Sequence, residues 1–271
     1  MTRMTPSEAA ALLNDLTAIA VRAIEAIRAV PAFNVPRRLK LDASPVTAAD
    51  EASEAVILSG LRRLLPDIQA VSEEAFQRAP PASLADTFLL VDPLDGTREF
   101  LAGLDEYAVN IAIVSGGVPI AGVIAAPALD LIWRGADGRA ERLRHFGHGA
   151  VGDHTPIRTR PWPAHDAIAV VSRSHLDPAT DACLTRLAVT RAPCGSAIKF
   201  CRVAEGAADI YPRFGPTSEW DIAAGHAILA AAGGVMTAAD GEPLHYGKRA
   251  DAFRVPGFIA WGDPQRARAG C

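Results

Sequence analysis

One short stretch constrains this chain more than any other, residues 88–100 with the sequence FLLVDPLDGTREF. Four apolar residues, typical of a buried strand, end at Asp92, and Asp95 follows three positions later. Gly96-Thr97 then leads into polar residues that predict a helix start. Two carboxylates held close together repel each other and raise each other's pKa unless a cation lies between them. The stretch therefore predicts a divalent metal site with a phosphate site beside it, although an ordinary Asp-Gly turn would give the same short pattern.

The composition excludes several other classes of protein. The chain has 271 residues, of which 49% are hydrophobic and 21% charged, so it can bury a core as one large domain or two smaller ones. A net charge of −4 without a basic block argues against a nucleic-acid polymer as partner. The four cysteines have neither C-x-x-C nor zinc-ligand spacing, and we expect free thiols. Because no apolar run predicts a signal peptide or a transmembrane segment, we expect a soluble cytoplasmic protein.

The hydrophobic pattern changes its period along the chain. The first half predicts two helices, from Thr5 to before Pro31 and from Thr47 to Pro66, followed by a short strand and two hairpins whose apolar residues alternate. Residues 152–166 are rich in proline, and beyond them short strands alternate with helices, which is typical of an α/β unit. We therefore expect an N-terminal α+β subdomain, residues 1–155, in which helices cover an antiparallel sheet, and a smaller C-terminal α/β subdomain, residues 156–271.

Further acidic residues stand at strand ends or helix starts. Glu73 ends a short strand, Asp221 heads an alanine-rich helix and Asp50 lies in the first turn of another. Each has an ordinary structural explanation, as a solvated loop, an N-cap or a partner of the helix dipole. Five such acids in a chain without zinc-ligand spacing nevertheless predict all-oxygen ligation of Mg²⁺.

The sequence supports a phosphate site but lacks the common motifs of ATPases, dehydrogenases and serine hydrolases. The amides of Gly96 and Thr97 at a helix N-terminus would hold a phosphate. The sequence has no Walker loop, dinucleotide G-x-G-x-x-G or G-x-S-x-G elbow. Five histidines lie in segments without a hydrophobic pattern, and we expect them at the surface: His145, His148, His154, His165 and His245.

Two motifs identify a resemblance that covers nearly the whole chain. The stretches VDPLDGTREF, residues 91–100, and EWDIAAGH, residues 219–226, resemble the two signatures of the inositol monophosphatase superfamily. The blocks SRSH, GSAIKFC and YPRFGPT, which begin at residues 172, 195 and 211, are most similar to the bacterial 3′(2′),5′-bisphosphate nucleotidases. The resemblance implies the layered αβαβα fold of the sugar phosphatases.

The resemblance also implies a role for each matching residue. It implies two or three Mg²⁺ per site, with these ligands: Glu73, Asp92 and the Leu94 carbonyl for the first, and Asp92, Asp95 and Asp221 for the second. Three residues would be catalytic: Glu73, Thr97 and Asp50. Of these, Thr97 would orient the attacking water and would be hydrogen-bonded to Asp50. The substrate contacts would be Gly96 and Thr97 for the scissile phosphate, and His175, Ser196, Lys199 and Arg213 for the nucleotide and its other phosphate.

The implied activity is Mg²⁺-dependent hydrolysis of the 3′-phosphate of adenosine 3′,5′-bisphosphate to AMP and phosphate. 3′-Phosphoadenylyl sulfate would be a second substrate, which would connect the protein with sulfur assimilation. The alternatives are an inositol or other sugar-phosphate phosphatase and a catalytically silent phosphometabolite-binding protein. Arg98 replaces the commoner lysine, and residues 103–107, GLDEY, vary the usual Asn-Gly-Glu-Phe. These departures from the family pattern lie at the nucleotide end of the site, and the metal ligands show none. The residues leave open a monomer or homodimer and peripheral association with the inner membrane.

Overall fold

The computed structural model describes residues 3–30, 38–39, 45–173, 176–268 and 270. Its helices are α1 (Pro6–Ala11), α2 (Leu13–Arg28), α3 (Ala48–Leu64), α4 (Glu73–Arg78), α5 (Thr97–Leu101), α6 (Pro178–Leu187), α7 (Ile198–Ala204), α8 (Glu219–Ala231) and α9 (Pro264–Ala267). Its strands are β1 (Arg38–Leu39), β2 (Pro45–Val46), β3 (Gln69–Ser72), β4 (Thr87–Asp95), β5 (Ala108–Ser115), β6 (Val118–Ala126), β7 (Leu131–Ala136), β8 (Arg139–His145), β9 (Val151–Pro156), β10 (Ile168–Ser172), β11 (Thr190–Cys194), β12 (Ile210–Arg213), β13 (Thr217–Ser218), β14 (Val235–Ala238), β15 (Arg254–Val255) and β16 (Phe258–Trp261).

The N-terminal helices begin and end at the predicted signals. Thr5 caps α1 in a capping box with Glu8, and Thr47 caps α3. Helix α3 ends at Leu64, two residues before Pro66, because proline removes a backbone donor and clashes with the preceding turn. The predicted first helix is divided at Leu12 into α1 and α2.

The larger sheet has the strand order β3-β4-β5-β6-β7-β8-β9. All its neighbours are antiparallel except β3 and β4, so the prediction of an antiparallel sheet is wrong at this edge. The reason is the connection through α4, which returns the chain to the starting end of β3 before β4 begins. The prediction that β4 stops at Asp92 is also wrong, because pairing with β5 resumes at Asp95 after a register shift. Within this shift the Leu94 N–H donates a hydrogen bond to Asp92 Oδ1 over 3.0 Å.

The smaller sheet has the order β11-β10-β12-β16-β14. Strand β10 runs parallel to β11 and β12, and β16 runs antiparallel to β12 and β14. The sequence did not predict β11, an edge strand that contains Pro193 and is mostly exposed, because it lacks the alternation of a half-buried strand.

Helices and sheets alternate in five layers. Helices α2 and α3 pack on one face of the larger sheet, and α7 and α8 lie between the two sheets. Helix α6 covers the outer face of the smaller sheet. This arrangement confirms the layered αβαβα fold. The division into subdomains at residues 155 and 156 stays a prediction.

Two predictions about single residues need correction. His145 is buried, with Nδ1 3.3 Å from Arg28 Nη1, because α2 covers the end of β8; the other four predicted surface histidines are exposed. Cys194 and Cys201 are free thiols as predicted, but Cys183 is disulfide-bonded, since the fold and not the spacing along the chain decides pairing. Cys271 lies outside the described residues. Among the described residues, none of the helices combines the length and apolar character that crossing a bilayer requires.

Candidate active site

Three carboxylates from three different elements meet at one point. Glu73 is the first residue of α4, Asp92 lies near the end of β4, and Asp221 lies in the first turn of α8. Their ligand atoms lie within 4.8 Å of one another, and Asp92 is buried. Like charges this close repel strongly where water is partly excluded. The cluster is therefore a candidate metal site.

Helix α3 supports the turn that carries Glu73. The buried carboxylate of Glu54 accepts hydrogen bonds from the Ser72 hydroxyl over 2.6 Å and the Ala75 N–H over 2.8 Å, and it forms an ion pair with Arg78. One residue before Glu54 on the same helix, the Ser53 hydroxyl donates a hydrogen bond of 2.7 Å to the Pro93 carbonyl of β4. The same helix thus fixes the ends of β3 and β4.

Asp221 is held by the start of its own helix. Its Oδ2 accepts hydrogen bonds from the Thr217 hydroxyl over 2.5 Å and the Ser218 N–H over 3.1 Å, which closes a capping box. The sequence suggested a capping aspartate as the alternative to a metal ligand. The structure shows that one carboxylate caps α8 and also belongs to the acidic cluster.

Asp95 lies in the same cavity but outside the cluster of three. Its Oδ2 accepts a hydrogen bond of 2.5 Å from the Ala197 N–H, which joins β4 to the loop before α7. Burial, and next the charge of Asp221, raise the pKa of Asp95 to about 7, although Lys199 acts in the opposite direction. A carboxyl with this environment favours a proton or a cation beside it.

Thr97 and Asp50 form the predicted pair. The Thr97 hydroxyl lies 3.0 Å from Asp50 Oδ1 and 3.1 Å from the Leu94 carbonyl oxygen. Asp50 is buried, and its other oxygen accepts hydrogen bonds from the backbone N–H and the hydroxyl of Thr47 over 2.8 and 2.7 Å. A threonine hydroxyl has one hydrogen, so when it donates to Asp50 its lone pairs are left to accept from a water molecule.

Gly96 makes the turn between β4 and α5 possible. Its φ of +91° lies in the left-handed region, which residues other than glycine rarely adopt. A Cβ at this position would also lie 3.2 Å from the Glu106 carbonyl oxygen. Glycine is therefore required for the turn that ends β4 and places Thr97 at the start of α5.

A single cavity of about 360 Å³ collects most of the predicted site residues. Its lining includes Glu73, Asp92, Leu94, Asp95, Gly96, Thr97, Ser196, Lys199, Arg213 and Asp221. Asp50 lies behind Thr97 and is absent from that lining. His175 falls outside the described residues.

Two of the predicted cationic contacts are engaged with backbone carbonyls. Lys199 is 4% exposed, and its Nζ donates to the carbonyls of Cys194 over 3.2 Å and Ser196 over 2.6 Å. Arg213 donates through Nη2 to the Pro216 carbonyl over 2.9 Å. Both still line the cavity, and their charges offset part of its acidity.

Sequence reasoning did not find Arg254. It lines the cavity because β15 pairs with β13, which places Arg254 opposite Ser218 at the start of α8. Nothing in the pattern around residue 254 gives a local signal, since the contact depends on pairing between segments 36 residues apart (254 − 218). Ser172 and Tyr211, which stand in the motifs of the sequence but were given no role, also line the cavity.

The residues present fit a hard divalent cation. Every ligand group in the cluster is a carboxylate oxygen, and the cluster contains neither thiolate nor imidazole among the described residues. Oxygen ligands of this kind suit Mg²⁺, Mn²⁺ or Ca²⁺. Burial, and next the charge of Asp221, raise the pKa of Asp95, and the same two causes would favour a cation beside its carboxyl.

Comparison with known proteins agrees with this geometry. The model of the inositol monophosphatase family matches residues 9–255. The 3′(2′),5′-bisphosphate nucleotidase CysQ of Escherichia coli K12 is 43% identical over 220 residues, 81% of this chain and 86% of that protein. The CysQ of Salmonella typhimurium is 45% identical over 224 residues, with the same two shares.

Solved structures lead to the same group. CysQ from Bacteroides thetaiotaomicron superposes with a TM-score of 0.75 at 35% identity, covering 92% of this chain and 96% of that one. An inositol monophosphatase from Anabaena superposes with a TM-score of 0.74 at 28% identity, covering 96% and 95%. The chain therefore belongs to the inositol monophosphatase family. It is a phosphoric monoester hydrolase with a candidate metal site in its acidic cluster.

Proposed function

We propose that this enzyme hydrolyses the 3′-phosphate of adenosine 3′,5′-bisphosphate to give AMP and phosphate. One observation carries the proposal: the acidic cluster and several cationic side chains line the same cavity. A substrate with two phosphates needs an electrophilic centre for one and a separate cationic contact for the other. The name of the E. coli relative, which is 43% identical, supports the same substrate class.

The proposed metal ligands follow the cluster. Glu73, Asp92 and the Leu94 carbonyl would hold one Mg²⁺, and Asp92, Asp95 and Asp221 a second, so that Asp92 serves both. When bound, the metal ions would polarise the phosphoryl oxygens, lower the pKa of a bound water and neutralise the leaving oxygen. Two or three Mg²⁺ per site is part of the proposal.

The water is oriented by the Thr97–Asp50 pair. With its hydrogen donated to Asp50, Thr97 Oγ1 accepts from the attacking water and aims the oxygen lone pair at phosphorus. The Asp50 carboxylate is held in orientation by Thr47, which donates two hydrogen bonds to its second oxygen. Glu73, on the other side of the cluster, completes the proposed catalytic set.

The proposed substrate contacts are residues that line the cavity, together with His175. The amides of Gly96 and Thr97 would hold the scissile phosphate, and Ser196, Lys199 and Arg213 would bind the nucleotide and its second phosphate, together with His175 from outside the described residues. Arg254 adds a guanidinium to this group. The same contacts would accept 3′-phosphoadenylyl sulfate, whose 5′ group is also anionic, which places the enzyme in sulfur assimilation.

An inositol or other sugar phosphate is the second candidate. The Anabaena inositol monophosphatase, which shares the fold at 28% identity, favours it. A catalytically silent binding protein would be expected to lack a ligand or the water-orienting pair, and this chain retains both. A cytoplasmic location and a monomeric or homodimeric state stay predictions.

A comparison of substrates tests the proposal. Phosphate release is measured with Mg²⁺ on adenosine 3′,5′-bisphosphate, 3′-phosphoadenylyl sulfate and inositol 1-phosphate, and kcat/KM is determined for each. We expect a clear preference for the two nucleotides. A preference for inositol 1-phosphate would overturn the nucleotide assignment and leave the phosphatase assignment standing.

A further inference from the structure

Asn110 is a buried amide without an evident structural purpose. It lies on β5, is 1% exposed, and neither its Oδ1 nor its Nδ2 has a hydrogen-bond partner among the described residues. A buried polar group that is left unpaired lowers the stability of the fold, because it has lost its hydrogen bonds to water. Such a group in a native protein calls for an explanation, and a functional role is one.

The position of Asn110 points to the acidic cluster. It pairs directly with Asp92 in the β4–β5 ladder, immediately before the register shift that ends at Asp95. Side chains of directly paired residues lie on the same face of the sheet, with Cβ atoms about 4.5–5.5 Å apart. The neighbouring pair, Leu90 and Ala112, belongs to the core beneath α8, so Asn110 and Asp92 face the helix that carries Asp221.

The chemistry of Asp92 explains what an amide would do there. Carboxylates that bind metals are usually oriented by a second hydrogen-bond donor, which fixes the direction of the lone pairs. The Leu94 N–H supplies one such bond, to Oδ1. An asparagine can supply another without adding negative charge to a site that already has too much, whereas an aspartate at 110 would add to the repulsion.

We propose that Asn110 is a positioning residue for the metal site, whose Nδ2–H group donates to the Asp92 carboxylate, directly or through one buried water, when Asp92 binds the metal. This inference rests on the proposed metal site. It gives Asn110 a role, although Asn110 is neither one of the proposed metal ligands nor part of the Thr97–Asp50 pair.

The test separates metal binding from folding. Asn110→Leu keeps a similar volume and removes both polar atoms. Mn²⁺ binding to metal-stripped protein is measured by EPR titration of free Mn²⁺, and the melting temperature is measured without metal. We expect Mn²⁺ affinity to fall about 10- to 100-fold, the usual effect of losing an outer-shell partner, while the metal-free melting temperature stays equal or rises because the unpaired amide is gone.

Ser115→Ala is the matched control. Ser115 is buried on the same strand, and its hydroxyl lies 3.2 Å from Thr87 Oγ1, at the end of β5 away from Asp92. We expect this variant to keep its Mn²⁺ affinity. Unchanged affinity in Asn110→Leu, or an equal loss in both variants, would overturn the inference.

Two further variants keep the inference decisive. If Asn110→Leu does not fold, Asn110→Ala takes its place with the same expected loss of Mn²⁺ affinity, because it also removes the donor. Asp92→Asn tests the metal site itself, because unchanged Mn²⁺ binding there would contradict the proposed ligands. A loss in Asp92→Asn with none in the Asn110 variants would remove only the role of Asn110.

Discussion

Asp95 shows how a partly buried carboxylate beside the candidate metal site weakens the fold that contains it. Burial and the charge of Asp221 raise the pKa of its carboxyl to about 7. Between the ordinary pKa near 3.8 and this value, the folded metal-free protein binds more protons than the unfolded chain. Its stability therefore falls as the pH rises through this window. Binding of a metal ion at the proposed site would offset this loss of stability, because the cation would replace the proton.

Asp95→Asn should stabilise the metal-free protein and abolish its activity. The amide oxygen can still accept the hydrogen bond from Ala197, but the charge beside Asp221 is removed. We expect the metal-free variant to melt at a higher temperature than the native protein above pH 7, with the difference disappearing near pH 4, and to lose nearly all activity. Thermal unfolding across pH in EDTA measures this. An unchanged or lower melting temperature at pH 8 would contradict the charge argument.

Thr97→Val tests the orientation of water. Valine has the same shape and lacks the hydroxyl that lies 3.0 Å from Asp50. We expect kcat to fall by about a hundredfold or more, as when a group that handles a reacting proton is lost, while Mn²⁺ affinity stays within a factor of about two. Thr87→Val, on the same strand but hydrogen-bonded to Ser115, is the control and should keep its kcat. A Thr97 variant with native kcat would show that another group aims the water.

At the scale of elements, the site depends on how closely α8 approaches the larger sheet. A Cβ on Gly122 of β6 would overlap the Ala224 carbonyl oxygen, so only glycine lets the N-terminal half of the helix reach its position. Three residues before Ala224, the same helix carries Asp221. The distance between helix and sheet is therefore part of the geometry of the acidic cluster.

Gly122→Ala should weaken both stability and metal binding. Overpacking of this kind costs about 1–3 kcal/mol, and moving the helix start takes Asp221 away from Asp92. Gly135→Ala is the matched control, because its Cβ would lie 2.9 Å from atoms of Ile228 and Ala231 at the other end of α8. We expect similar losses in melting temperature but a larger loss of Mn²⁺ affinity in Gly122→Ala. Equal Mn²⁺ affinities in the two variants would contradict this account.

The sequence predicted most elements because their signals are local. The capping boxes at Thr5 and Thr47 fix where helices begin, and alternating apolar residues mark β5 and β6. The parallel pairing of β3 with β4 was not predicted, since the direction of a strand depends on where its connection returns. The continuation of β4 to Asp95 was missed for a related reason, because a register shift is visible only with the partner strand in place.

At the scale of the whole molecule, the cavity is assembled from segments far apart in the sequence. The acids could be predicted because each stands at a strand end or helix start, where the topology brings them together. The place of Arg254 in the cavity could not be predicted, since this residue reaches the cavity only through the pairing of β15 with β13. Asn110 looks like any polar residue in a strand until its burial and its pairing with Asp92 are known.

Arg254→Gln should change which substrate is preferred. If its guanidinium binds the second phosphate, losing a charge-assisted hydrogen bond of about 1.5–3 kcal/mol lowers kcat/KM for adenosine 3′,5′-bisphosphate about 10- to 100-fold. Hydrolysis of adenosine 3′-monophosphate should hardly change. Arg249→Gln, exposed and outside the cavity lining, is the control. Equal losses on both substrates would place Arg254 at the scissile phosphate instead.

The central claim is that the carboxylate cluster binds the metal ions that hydrolyse the phosphate ester. The most direct measurement is phosphate release from adenosine 3′,5′-bisphosphate by metal-stripped enzyme as Mg²⁺ is added, for the native protein and for Asp92→Asn. We predict no release in excess EDTA, saturable recovery with Mg²⁺ in the native protein, and no recovery in the folded variant. Release in excess EDTA, or equal recovery in Asp92→Asn, would contradict the account.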